Sequence, residues 1–132
     1  MKEQLISFET AKLAKEKGFD ALCYDAFNSK GNLYSNGWCE YLYDNKVEIP
    51  FRSGVLESKD VLAPTQSLLA KWLREKHEID ILVQRSFSNG IKKYILTPCF
   101  DKPIPKGYES VEKNNYEEAL EIALFKSLKY II

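Results

Sequence analysis

The sequence is poor in the residues that most often carry chemistry or cross-links. It holds one histidine and three cysteines. A zinc site needs about four Cys or His ligands, usually in closely spaced pairs. Here Cys23, Cys39 and Cys99 lie no closer than 16 residues to one another. No CxxC, HExxH or acidic calcium loop occurs, so no metal is expected. An odd number of widely spaced cysteines implies no complete disulfide framework and suits a reducing compartment. Glycine is scarce, at six residues, and none falls in a GxxxxGK[ST] or GxGxxG string. A glycine-rich phosphate cradle is therefore unsupported, and no motif calls for a cofactor. No apolar run approaches the ~18–20 residues that span a bilayer. The segment Met1-Lys2-Glu3-Gln4-Leu5-Ile6 has neither the apolar stretch nor the cleavage site of a secretory signal. These absences lead to the expectation of a cytoplasmic chain that does not engage a membrane. Net charge is also missing: 19 basic residues balance 19 acidic ones. Generic nucleic-acid binding, which relies on phosphate neutralisation, is not expected.

What is present is ordinary globular composition, 45% apolar and 29% charged over 132 residues. That excludes intrinsic disorder. A chain of this size buries roughly two-thirds of its unfolded surface on folding, and the expectation is a single domain over residues 1–132. The zero sum hides an asymmetry. Residues 1–70 carry 8 basic and 10 acidic residues, residues 71–106 carry 8 and 4, and residues 107–132 carry 3 and 5. The positive middle is the place an anionic ligand or an acidic partner would address.

Local signals predict three helices. Ser7 is a good N-cap, with Glu9 in the first turn, where the helix dipole favours a carboxylate. Phe8, Ala11 and Ala14 recur at helical spacing, and Gly18-Phe19 suits a Schellman end folded back on Ala14. Lys12, Lys15 and Lys17 read as a solvated face. Pro64 suits the first position of a second helix, whose apolar face is Leu68, Leu69, Trp72 and Leu73. The third helix is the plainest. Asn115 and Glu118 form a capping-box variant, and Tyr116, Ala119, Leu120, Ala123, Leu124, Ser127, Leu128 and Ile131 follow i, i+3, i+4 spacing.

Between the helices the pattern is that of strands. Residues 21–27, 32–34, 38–43 and 46–49 read as a meander, with a turn at Asn28-Ser29-Lys30-Gly31. Residues 50–62 read as a loop. Residues 79–83 are β-branched, Ser88-Asn89-Gly90 signals a tight hairpin, and Ile91 begins a return strand that Pro98 should end. A short last strand is expected over residues 107–111. The order α-β-β-β-α-β-β-(β)-α and the tight hairpin predict an α+β fold: a layered sandwich of a mainly antiparallel sheet with three amphipathic helices.

Catalytic signals are thin. His77 is the one side chain titrating near neutral pH, and it reads as an exposed residue near a helix C-terminus, where a cation is favoured. A Cys–His pair would need one of the three cysteines in reach, and these fit better as buried small hydrophobes in strands. Asp25, Glu40, Asp44 and Glu48 read as solvent-facing strand positions rather than an acid–base pair. No matched acid, base and nucleophile set appears, so no catalytic residues are named and a non-enzymatic protein is expected. Aromatics are the richer feature, at 13%, with Tyr24, Tyr34, Trp38, Tyr41 and Tyr43 on the meander. They suit gap-filling under helices, a partner surface or base stacking. The candidate ligand- or partner-binding residues are Tyr41, Tyr43, Arg74, His77, Arg85, Lys92 and Lys93.

Three segments carry a resemblance: Ile6-Ser-Phe-Glu-Thr-Ala-Lys-Leu-Ala-Lys-Glu-Lys-Gly-Phe19, the run from Ala63 to Ile79, and Tyr116-Glu-Glu-Ala-Leu-Glu-Ile-Ala-Leu. Together they resemble small proteins encoded by phages and prophages of gut Bacteroides-type bacteria. More loosely, the layout resembles the α-β-α sandwich domains of phages. The resemblance implies a mobile-element origin and a bacterial host cytosol, and it implies no reaction. The leading expectation is an accessory protein that binds a host or phage protein. Alternatives are a binder of a small anionic ligand such as a nucleotide, an enzyme, and a homo-oligomer built through exposed strand edges.

Overall fold

A computed structural model describes residues 4–34, 40–41, 47–48, 60–100 and 110–131. Among them are helices α1 (Phe8–Glu16), α2 (Gln66–His77) and α3 (Tyr116–Lys129). The strands are β1 (Ala26–Phe27), β2 (Leu33–Tyr34), β3 (Glu40–Tyr41), β4 (Val47–Glu48), β5 (Val61–Leu62), β6 (Ile79–Ser88), β7 (Ile91–Phe100) and β8 (Val111–Lys113). The fold is α+β, the strands pair antiparallel, and the elements follow the expected order. The described strands form three sheets, ordered β2-β1-β5, β3-β4 and β6-β7-β8. Among the described residues no helix is long and apolar enough to cross a membrane. The chain divides into two compact units, Leu5–Thr65 and Gln66–Ile132 together with Met1–Gln4.

In the first unit, α1 is delimited by its own sequence. Ser7 Oγ accepts the Thr10 N–H at 3.2 Å. At the other end the Phe19 N–H donates to the Ala14 carbonyl at 2.9 Å, and the Gly18 N–H to that of Lys15 at 3.1 Å. These two bonds are the Schellman pair, and Gly18 supplies the positive φ of +91°. Ala14 and Phe19 are buried, as are Ile6, Ala11, Cys23, Ala26, Val61 and Leu62 of the same unit. The Asn28 turn closes through its side chain, whose Oδ1 accepts the Lys30 and Asn32 N–H groups. A Cβ at Gly31 would stand 2.9 Å from the Phe8 ring, which itself packs on Phe27 at 5.5 Å.

Four expectations change in this unit. The strand over residues 21–27 shrinks to β1, leaving Leu22 and Tyr24 exposed. Val61 and Leu62 are not loop but the buried strand β5, paired with β1 as Phe27↔Val61 and Ala26↔Leu62. Lys15 also leaves the solvated face: its ammonium donates to the Asp60 carbonyl at 3.1 Å. Burial lowers its pKa from the ordinary 10.5, against the raising effect of the Asp60 charge. Pro64 is not the first residue of α2. Its carbonyl accepts the Ile6 N–H at 3.0 Å and Thr65 bridges to Leu5, so the chain stays extended until Gln66.

In the second unit, α2 and α3 pack on each other and on the β6-β7-β8 sheet. Leu69, Trp72 and Leu73 of α2 and Ala119, Leu120, Ala123, Leu124 and Leu128 of α3 are buried, with Ile79, Leu96 and Val111 from the sheet. Gln66 Nε2 donates to the Glu117 carbonyl at 2.8 Å and ties the helix starts together. Asn115 caps α3 by accepting the Glu118 N–H at 3.0 Å. The hairpin has a continuous register from Ile79↔Phe100 to Ser88↔Ile91. Its turn takes positive φ at Asn89 (+53°) and Gly90 (+75°), the signature of a two-residue type I′ turn. Pro98 does not end β7 but sits inside it, opposite Ile81. The third strand reaches only Tyr94 to Leu96, so at Pro98 a missing N–H breaks no ladder bond on that side. The last strand falls at residues 111–113, later than expected.

Candidate functional site

The hairpin positions the charged candidates. Side chains directly opposite on antiparallel strands share a face, and faces alternate along each strand. One face therefore carries Ile79, Ile81, Val83, Arg85 and Phe87 from β6. Leu96, Tyr94 and Lys92 of β7 share that face, opposite Val83, Arg85 and Phe87 respectively. Ile79, Leu96, Pro98 and Val111 are buried, so the helices cover this face at the end away from the turn. Coverage then runs out. Phe87 is 70% exposed and Val83 43%; on the opposite face Leu82 is 59% and Ile91 50% exposed. Four large apolar side chains thus stand in solvent on two adjoining strands.

Cations accompany them. Residues 84–93 hold Arg85, Lys92 and Lys93 and no acidic residue. Lys92 Nζ lies 5.3 Å from the Tyr94 ring centre, and Tyr94 meets Tyr116 edge-on at 5.6 Å. Lys93 is on the other face, paired with Glu112 at 3.1 Å. Lys113, opposite Tyr94 across the sheet, lies 3.9 Å from Glu118. Arg85 and Lys92 make no ion pair with a carboxylate among the described residues. The exposed end of the helix-covered face thus combines Phe87, Val83 and Tyr94 with the cations of Arg85 and Lys92.

The sequence-predicted residues divide into groups. Arg85 and Lys92 share one face and Lys93 the other. Arg74 is exposed on α2, and His77 ends that helix at the root of the hairpin. From there, the six steps of β6 from Ile79 to Arg85 span about 20 Å at the usual strand rise. Tyr41 lies in β3 with Val47 opposite it, within the other unit. Tyr43 lies outside the described residues, as do Trp38 and Cys39.

His77 departs from the sequence expectation. Its ring stands 4.7 Å from that of Trp72, edge to face, and is half-buried. Desolvation by partial burial lowers its pKa below the ordinary 6.5, which disfavours the helix-terminal cation. Cys23 is buried as expected, whereas Cys99 is exposed on β7. Among the described residues no group of three His, Cys, Asp or Glu side chains could hold a metal ion.

Phe87, Leu82, Val83 and Ile91 were not singled out by sequence reasoning, because β-branched and aromatic residues in a strand ordinarily point to a core. One signal was available. Phe87 and Ile91 flank the Asn89-Gly90 turn, and residues beside a hairpin tip extend past the elements that cover its root. No family model, curated protein or solved structure matches the chain.

Proposed function

We propose that this chain is a non-enzymatic accessory protein of a phage or prophage, acting in the host cytosol as a protein-interaction module. Its docking surface is the outer half of the β6–β7 hairpin. The observation that carries this is the exposure of Phe87, Leu82, Ile91 and Val83 beside Arg85 and Lys92. Aromatic and arginine side chains are enriched where protein partners anchor, and here Val83 and Phe87 flank Arg85 on one face of the hairpin while Leu82 and Ile91 stand on the other. The phage origin rests on the resemblance of the three helical segments alone. A photo-cross-linking residue placed at Phe87 and, as control, at Lys71 tests the docking surface in host cells. Discrete adducts at position 87 that are absent at position 71 are expected. Equal or absent labelling at both would overturn the reading.

A second reading, binding of a small anionic ligand, is favoured by one observation: Lys92 lies over the Tyr94 ring, and Arg85 is the cross-strand neighbour of Tyr94 on the same face. A nucleotide present at 100 times its Kd would stabilise the fold by about 2.7 kcal/mol. A thermal-shift series with mono- and cyclic nucleotides at millimolar concentration decides this, and an unmoved melting temperature removes it.

A further inference from the structure

We propose that the partner is an acidic polypeptide segment that docks in extended form as a fourth strand along the outer edge of β6. The proposal rests on the hairpin being a docking surface and adds the partner's chemistry and its mode of binding.

The first support is the edge itself. In the order β6-β7-β8, β6 has a strand on one side only among the described residues. It is ten residues long, and its register to β7 runs from Ile79↔Phe100 to Ser88↔Ile91 without a bulge. Roughly every second residue of such a strand turns its N–H and C=O outward. Edges are normally blunted by proline, bulges, shortness or closely spaced charge. Here the strand has no proline or glycine, and its charges are Asp80 and Arg85 alone. The stretch from Ile81 to Gln84 is uncharged, and Leu82 and Val83 within it are exposed.

The second support is charge complementarity. An added strand would lie directly beside Arg85, with Val83 and Phe87 two residues to either side on the same face. Lys92 stands one strand further in and adds to the positive field. The matching segment therefore reads apolar, acidic, apolar at alternate positions. Only a polypeptide offers both donors and acceptors at strand spacing, so nucleic acid fits the charge but not the edge. A second copy fits less well. Symmetric antiparallel pairing centred on residues 84–86 sets Arg85 opposite or diagonal to its own copy, and like charges there repel.

The test uses the 132-residue chain and a synthetic eight-residue peptide alternating valine with glutamate. Its controls are the same peptide with lysine for glutamate and one N-methylated at alternate main-chain nitrogens. Binding by calorimetry is expected for the acidic peptide, with at least a tenfold loss for the lysine and N-methylated forms. Arg85→Glu should weaken the acidic peptide about tenfold and admit the lysine peptide. Amide exchange of β6 should slow in the complex. Equal affinity of the N-methylated peptide, or unchanged exchange in β6, would overturn strand addition. If Phe87→Ser still abolished binding in that case, the docking surface itself would stand. No binding of the acidic peptide at millimolar concentration would also overturn the proposal, as would tighter, Arg85-dependent binding of single-stranded DNA. Self-association that protects β6 without peptide would overturn it in favour of a homodimer. The N-methylated control needs no altered protein, so a variant that fails to fold leaves the test intact.

Discussion

At the scale of single residues, environment overrides type. His77 sits in the last turn of α2, where the helix dipole favours a proton, yet partial burial against Trp72 lowers its pKa. The sign of the consequence follows from linkage. Below pH 6.5 the unfolded chain takes up this proton before the folded one does, so stability falls as pH drops through that window. It levels off once the folded pKa is passed. Urea midpoints at pH 7.5 and 5.5 should therefore fall further for the wild type than for His77→Gln, and equal losses would refute the assignment. Lys15 obeys the same rule from the basic side, since desolvation outweighs the attraction of Asp60. Sequence position identified both residues but not their surroundings, which come from Trp72 within the same helix and from Asp60 far along the chain.

At the scale of elements, the ends of helices and the hairpin turn are written locally. Ser7, Gly18 with Phe19, and Asn115 each act within five residues of where they stand. Removing the Asn115 side-chain acceptor by Asn115→Ala should cost about 1 kcal/mol, and Asn115→Ser should restore most of it. Gly18→Ala meets no atom within 4 Å, so its cost, also about 1 kcal/mol, would be purely the positive φ. Denaturant melts of the three variants check these values, and a neutral Gly18→Ala would contradict the left-handed geometry. Strand ends were less legible. Pro98 reads as a stop and is not one, because what matters is whether its missing N–H faces a partner strand. The sequence does not say which side of β7 is unpaired at that point.

At the scale of the whole molecule, each compact unit carries its own buried apolar set, and exposure separates structure from function. Leu124 is fully buried between α3 and its neighbours, so Leu124→Ala should lose about 2–5 kcal/mol. Phe87 is larger but mostly exposed, so Phe87→Ser should change stability by less than about 0.5 kcal/mol while removing partner binding. Paired measurements of melting and cross-linking distinguish the two. A strongly destabilised Phe87→Ser would mean that the ring belongs to the core rather than to a docking surface.

The α+β class, the order of elements, three amphipathic helices, two of them capped by Ser7 and Asn115, and a tight Asn89-Gly90 hairpin were determined by the sequence alone. The reason is that dihedral preference, capping and hydrophobic period act over a few residues. Only the tertiary structure decided that Val61 and Leu62 join β1, that Pro98 remains in a strand, and that Phe87, Leu82, Val83 and Ile91 end up outside. Those outcomes depend on which distant segments pair and how far the helices reach along the sheet. Alternation along a strand states that two faces differ, but coverage by other elements settles which face, and how much of it, is left to meet a partner.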